Sequence, residues 1–314
     1  MLNRHYLRTK VMQAIFARQI NPGETMTKSE KKLTDSIQQC YTLFLYLFSI
    51  FPEMKRYRQN KIEELKQKIN PTPEDLDPNP HFINNKVIAL IEDNRALKVL
   101  WKEKHISWHK NPEVISQLYR DMEKHDFFIS YMQKREGTFK EDKKLVLHLV
   151  ENLLAEHDFL QWFLGEQNTH WNDDFRMGLI MLYNNIVDFN ENNGENNPVS
   201  PLFKDIEDKE FYLELFRKTL VHDSEYFDLI APKLQNWESD RVMIIDMILM
   251  KMAICELLEF PTIPIKVTIN EYIELAKSYS SAKSGLFING VLDKVLVELE
   301  SQNRLHKIGR GLLS

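Results

Sequence analysis

Arg4, His5, Arg8, Lys10 and Arg18 crowd the start of the chain, and no acidic residue appears before Glu24. Cations at that density suit phosphate. Arg4 and Arg8 are four residues apart, one turn of a helix, so both guanidiniums can point at neighbouring phosphates of a nucleic acid. A second basic run closes the chain, where Arg304, His306, Lys307 and Arg310 are the only ionisable side chains after Glu300. If both clusters act together with Lys283, about six phosphate contacts are expected, each adding ~0.7 to the salt dependence of single-strand binding. Taken one at a time, such residues are more often solvated surface charge, and the net charge of -5 rules out a generic polyanion binder.

The signals for catalysis are weaker. His105 and His109 would stand one helical turn apart, but Lys104 and Trp108 flank them and no third metal ligand lies nearby. Asp173 and Asp174 suit a helix N-terminus, where carboxylates favour the dipole. The chain has no Walker-type loop, no Gly-x-Gly-x-x-Gly and no Gly-x-Ser-x-Gly, and its one Gly-x-Gly, Gly309 to Gly311, follows no strand. Cys40 and Cys255 are far apart in apolar stripes and read as buried free thiols. The expectation is a binding protein, not an enzyme, with neither cofactor nor metal.

The elements that must position these residues are helical. The 314 residues are 43% hydrophobic with only 9 Gly and 12 Pro, enough for one large or two small helical cores. Helical patterns run over roughly 28–68, 83–101, 112–134, 140–164 and 171–189, with Pro-, Gly- and Asn-rich loops at 70–81 and 190–201. The most apolar stretch, 41–51, falls short of the about 20 residues needed to span a bilayer, and no leader-like segment opens the chain. A cytoplasmic protein without membrane contact is expected.

The segment 263–295, IPIKVTINEYIELAKSYSSAKSGLFINGVLDKV, is the most distinctive. Pro264 blocks what precedes it, and Thr268 with Glu271 has the spacing of a capping box. Ile269, Tyr272, Ile273, Ala276 and Tyr279 then form an apolar stripe. Ser281 and Ser284 in the elbow suit N-caps of a second helix, whose stripe is Phe287, Ile288, Val291, Leu292, Val295 and Leu299. Gly290 inside that helix suggests a close helix crossing.

This segment resembles the NusB family of transcription antitermination factors. The resemblance rests on Lys266, Val267, Ile269 to Glu271 and Ile273 to Lys277, and then on Phe287 to Lys294. The helix from Asp246 to Leu258 is similar to the family's through Asp246, Leu249, Lys251, Ala253, Glu256 and Leu257. The segment from Phe211 to Trp237 looks like the family's middle helices. More weakly, Gln13 to Phe16 looks like the end of the family's N-terminal basic helix, docked by Leu7, Val11, Ala14 and Ile15 with its basic face in water. The elbow departs from the family pattern: Lys283 precedes Ser284, and Gly285-Leu286 stands where a basic pair is usual.

The resemblance implies an all-α helical bundle in two subdomains, with extra inserted helices. It divides the chain into an N-terminal basic helix at 1–20, an inserted region at 21–200, a family core at 201–302 and a basic tail at 303–314. It also implies binding of boxA-like single-stranded RNA together with ribosomal protein NusE, within the RNA polymerase antitermination complex that supports rRNA transcription. Carried over residue by residue, RNA contact falls to Arg4, His5, Arg8, Lys283 and Ser284, and the partner face to Asp246, with Lys251 and Glu256 beside it. Asn270, Glu271, Asn289 and Asp293 read instead as caps and interhelical bonds. The alternative is a NusB-like adaptor acting through protein contacts of the inserted helices, or a relative of the RNA-binding domain of rRNA cytosine methyltransferases. A methyltransferase itself would need an α/β domain for which the helical patterns leave no room.

Overall fold

A computed structural model describes residues 1–234 and 243–312; they are all-α, without a strand. Helices α1 (Arg4–Ile20) and α2 (Met26–Lys66) open the chain. The chain divides into two compact units, one of 38–202 with Met1 and the other of 2–37 with 203–314, so α2 contributes to both. Residues 235–237, at the end of the segment likened to the family's middle helices, lie outside the described residues.

The first unit is built on α2 from Gln38 onward. Pro52 lies inside this helix, which nevertheless continues through it, with Phe48, Phe51 and Met54 wholly buried around the proline. Packing there offsets a defect that costs about 3 kcal/mol in an unsupported helix. Helices α3 (Pro73–Leu76), α4 (Lys86–Asp93), α5 (Arg95–Glu103), α6 (Pro112–Met122), α7 (Asp126–Tyr131), α8 (Phe139–His148), α9 (Asp158–Gln167) and α10 (His170–Asp188) complete it. Three indole N–H groups anchor the surrounding chain to α2: Trp101 donates to the Leu45 carbonyl, Trp108 to the Ser49 hydroxyl and Trp171 to the Gln39 carbonyl, at 2.8–3.0 Å.

Several expected helices are broken where a polar side chain captures backbone groups. The 83–101 pattern splits at the buried Asn94, whose side chain accepts from Leu97 N–H and donates to the Asn197 carbonyl. The 112–134 pattern divides into α6 and α7 with no side-chain cap at His125, and 140–164 breaks ahead of α9, which His157 caps by accepting from Leu160 N–H. The expected loop at 190–201 is held by asparagines: Asn197 bonds Asn190 and Gly194, while Asn185 bonds Pro198 and Ser200. His105 and His109 are exposed in the loop after α5, with His105 at φ 53°, and so do not share a helix face. Asp173 lies in the first turn of α10.

The second unit contains α11 (Ile206–Val221), α12 (Asp223–Ile230), α13 (Ile244–Glu259), α14 (Ile265–Tyr279) and α15 (Ser284–Ser301). Helix α13 is buried nearly all round, with α1, α11, α12, α14 and α15 packed on it. Helix α1 begins at Asn3, whose side chain accepts from Tyr6 N–H. The expectation that α1 leaves a basic face in water fails for Arg8 and Lys10, each 2% exposed, while Arg4 and His5 stay half-exposed. Cys40 and Cys255 are buried and not disulfide-bonded, and burial pushes the Cys255 thiol up to about 12. Among the described residues no helix is long and apolar enough to cross a membrane.

Two glycines invite opposite outcomes. A Cβ at Gly137 would lie 2.4 Å from Nε2 of His81, which is buried and held by the Tyr131 carbonyl, so Gly137→Ala should destabilise the protein by about 1–3 kcal/mol. Gly290 does not serve the close crossing expected of it, since a Cβ there meets nothing within 4 Å. Gly290→Ala should therefore stabilise by about 1 kcal/mol. Chemical denaturation of both variants checks the pair; a stabilised Gly137→Ala would contradict the packing around His81.

Candidate nucleic-acid interface

The start of α1 meets α11, α13 and α14 around one buried carboxylate. Glu256, on α13, is wholly buried and accepts four hydrogen bonds. Arg8 donates two of them in a fork, Nε to Oε2 at 2.7 Å and Nη2 to Oε1 at 2.8 Å. Thr268 Oγ1 donates to Oε1 at 2.8 Å and Tyr272 OH to Oε2 at 3.1 Å. Every lone pair of the carboxylate is thereby used. Burial pulls the Arg8 pKa down, but the charge and hydrogen bonds of Glu256 more than reverse this, so the guanidinium is held above its ordinary value. Burial and the Glu256 charge push Tyr272 well up, keeping it a neutral donor.

A half-exposed layer covers this pair. Glu271 accepts from Arg8 Nη1 at 3.1 Å and faces His5 Nδ1 at 2.9 Å on the same oxygen. Arg4 Nε donates to Asp208 at 2.9 Å, and its Nη2 lies 3.6 Å from Glu207. The Arg4 and Arg8 guanidiniums lie 5.0 and 5.2 Å from the Phe211 ring centre. Above the layer opens a cleft of about 480 Å³, to which Lys204, Pro264, Val267 and Arg310 also contribute. Arg4 and His5 thus reach the cleft half-exposed, whereas Arg8 is committed to the interior and is not a free phosphate ligand.

The elbow between α14 and α15 is fixed by a second buried carboxylate. Asp246 accepts from the hydroxyls of Ser280 and Ser284, at 2.5 and 2.8 Å. Ser284 is 2% exposed and opens α15 without capping it, while Lys283 beside it is exposed and, among the described residues, lies in no ion pair. The expected capping box at Thr268 is likewise absent: α14 begins at Ile265, and the Thr268 hydroxyl is spent on Glu256.

None of the three residues expected on a partner face is on the surface. Asp246 is 4% exposed, Glu256 is wholly buried, and Lys251 is buried with its ammonium 2.6 Å from Asp223 and over the Phe227 ring. The physical reason is that α13 is central, so its few polar side chains must pair internally.

The tail is docked rather than loose. Ile308 N–H donates to the Pro261 carbonyl at 3.1 Å, and a Cβ at Gly311 would lie 1.9 Å from that same oxygen. Lys307 Nζ reaches the Phe260 and Glu256 carbonyls at 3.1 and 3.5 Å, adding a charged donor to two acceptors at the C-terminus of α13 that also take the Ile263 and Phe260 N–H groups. Burial pulls the Lys307 pKa down to about 8, against the pull of Glu256. Arg304 pairs with Glu225. Lys204 is the cleft residue that sequence reasoning missed, since one lysine in an acidic run carries no signal.

A sequence profile of the NusB family matches residues 181–297. The transcription antitermination protein NusB of Salinibacter ruber is 45% identical over 113 residues, which cover 36% of this chain and 71% of that protein.

The chain belongs to the NusB family.

Two further proteins of that name are similar over less of their length. The one from Chloroherpeton thalassium is 43% identical over 109 residues, 35% of this chain and 52% of its own, and the one from Desulforapulum autotrophicum is 42% identical over 87 residues, 28% and 61%. No solved structure matches. The NusB match spans most of the second unit's helices and extends back into α10, whereas α1 lies outside it.

Removing either partner of the Arg8–Glu256 pair strands a buried charge. Arg8→Met and Glu256→Gln should each cost about 3–5 kcal/mol, and the double variant less than the sum of the two. Additive losses in denaturant unfolding would show that the two side chains act independently. For Lys307, a folded-state pKa of about 8 lies below the ordinary 10.5. Between those values the unfolded chain holds the extra proton, so stability rises with pH. The stability difference between the wild type and Lys307→Met should move in favour of the wild type as pH rises from about 8 towards 10.5. A flat difference would contradict burial of the ammonium.

Proposed function

We propose that this protein is an antitermination factor that binds boxA-type single-stranded RNA together with ribosomal protein NusE, within the RNA polymerase antitermination complex that supports rRNA transcription. Family membership supports the class. The observation that carries the RNA contact is the placement of solvent-reaching cations along α14. His5 faces Glu271 of this helix and Arg4 lines the same cleft, while Lys283 lies just beyond the helix's C-terminal end. Glu271 and Ser280 are nine residues apart on the sequence, roughly 13.5 Å along the axis. An extended strand following α14 would meet both places through its phosphates, with bases splayed towards neighbouring side chains. This is binding without chemistry. Arg8 and Ser284 serve it indirectly, by holding α1 and the elbow.

A second reading, a protein adaptor, is favoured by one feature of the first unit. Trp162 is 60% exposed and stacks on Phe159 at 5.8 Å.

Fluorescence anisotropy of a labelled boxA-like RNA, with and without NusE and at two salt concentrations, separates the readings. Binding should tighten with NusE, weaken with salt and fall in Arg4→Ala and Lys283→Ala. No RNA binding even with NusE present would sink the RNA reading and turn attention to Trp162.

A further inference from the structure

Three tryptophans of the first unit fasten the chain to α2 through their indole N–H groups, but Trp162 on α9 is 60% exposed. The helix that carries it is fixed from several sides. His157 caps its start, Phe163 stacks on Trp108 at 6.0 Å, and a Cβ at Gly165 would lie 2.1 Å from Asn172 Oδ1 on α10. Asn168, just past the end of α9, donates to Gln39 Oε1 on α2 at 3.0 Å. Phe159 stacks on the Trp162 ring and holds its angle. An aromatic side chain presented this rigidly loses little freedom on binding, and tryptophan is a residue type enriched among interface anchors.

The charges around Trp162 have one predominant sign. Between Lys144 and Arg176 the sequence holds six acids and no lysine or arginine. Asp158, Trp162 and Glu166 follow at intervals of four on one face of α9, so an exposed carboxylate stands one turn to either side of the indole. Neither carboxylate has a cation within ion-pair distance among the described residues. Helix α10, packed on α9, adds the exposed Asp173 and Arg176, which leaves the exposed groups of the two neighbouring segments net negative. At the start of α9, Asp121 meets His157 and already holds Lys124. Glu166 lies in the last turn of α9, where the helix dipole disfavours an anion and no basic residue offsets it.

We infer that this face of α9 is a docking surface for an arginine-bearing basic segment of a partner protein, with a guanidinium laid on the Trp162 indole and paired with Asp158 or Glu166. The inference gives an occupant to the adaptor reading, on which it rests, and is separate from the RNA contact proposed for the second unit. An indole is the ring that best attracts a cation. The planar, weakly hydrated guanidinium stacks on it and keeps its edge donors for the carboxylates, which a compact ammonium does less well. A nucleic acid is disfavoured here, because its phosphates meet the same surplus of carboxylates.

The test is fluorescence anisotropy of the full chain with a labelled peptide of alternating arginine and glycine, beside matched peptides in which lysine, glutamine or glutamate replaces arginine. The arginine peptide should bind most tightly and weaken with salt. Trp162→Ala should weaken its binding about tenfold and Trp162→Phe by less, while Asp158→Asn and Glu166→Gln should each weaken it about two- to fivefold. Glu64→Gln, which removes an exposed acid on α2 in the same unit, should leave it unchanged. Trp162-dependent binding of the glutamine or glutamate peptide in place of the arginine one would overturn the arginine occupant and leave the adaptor reading standing. Equal affinity for the lysine and arginine peptides would overturn stacking on the indole. Equal weakening in Glu64→Gln would replace the docking surface with diffuse attraction. A loss of RNA affinity in Trp162→Ala would reassign the face to nucleic acid, and Trp162-dependent self-association in sedimentation would reassign it to a second copy of the chain. Absence of Trp162-dependent binding to any of the peptides would overturn both the inference and the adaptor reading of this face.

Discussion

A fully buried carboxylate in an apolar helix is tolerable only when its charge is met and its lone pairs are filled, and Glu256 imposes that condition on the second unit. Arg8 supplies the charge from α1, while Thr268 and Tyr272 supply hydroxyls from α14. Three helices are thereby fixed in register by one side chain. A one-residue slip of α1 would carry Arg8 about 100° around its axis and leave two buried charges without each other, at a cost far beyond any gain from shuffling apolar contacts. Apolar packing brings α1, α13 and α14 together; the ion pair specifies how.

That constraint sorts the remaining charges into layers. Directly above the pair, Glu271 is shared by Arg8 and His5, and Asp208 holds Arg4, so the first turn of α1 meets the solvent with its charges mostly balanced. Further out, Lys204, Lys283 and Arg310 are exposed and, among the described residues, in no ion pair. Asp246 repeats the inner arrangement at the other end of α14 with two serine hydroxyls in place of an arginine, closing the elbow that carries Lys283. The cations nearest the core thus hold the fold, and those nearest the solvent are available for recognition. This is why a basic N-terminal segment in a NusB-family chain need not present all of its basic residues to RNA.

The first unit obeys a different rule. Its helices are short, and buried polar side chains end them: Asn94 between α4 and α5, His157 before α9, and Asn197 inside the ordered loop. Indole N–H groups then fasten three segments to the long α2, supplying direction to contacts that apolar packing alone would leave loose.

The all-helical class, the NusB motifs over 263–295, the buried thiols and the two polar loops were legible because periodicity, composition and local spacing carry them. The positions of the breaks at Asn94 and His157 were not, since an Asn or a His within an apolar pattern is the same letter whether it faces water or caps a helix. Nor were the roles of Arg8, Glu256, Asp246 and Lys251, which read as surface charges and are interior partners. The hint lay in α13 itself, whose neighbours are apolar nearly all round and leave Glu256 no solvent-facing side. By itself the sequence determined which residues are charged and which segments are helical, because propensity and periodicity act over a few residues. Only the tertiary structure decided which charges are used up inside and which remain for a partner, because pairing across 248 residues, as between Arg8 and Glu256, depends on where distant helices bring their side chains together.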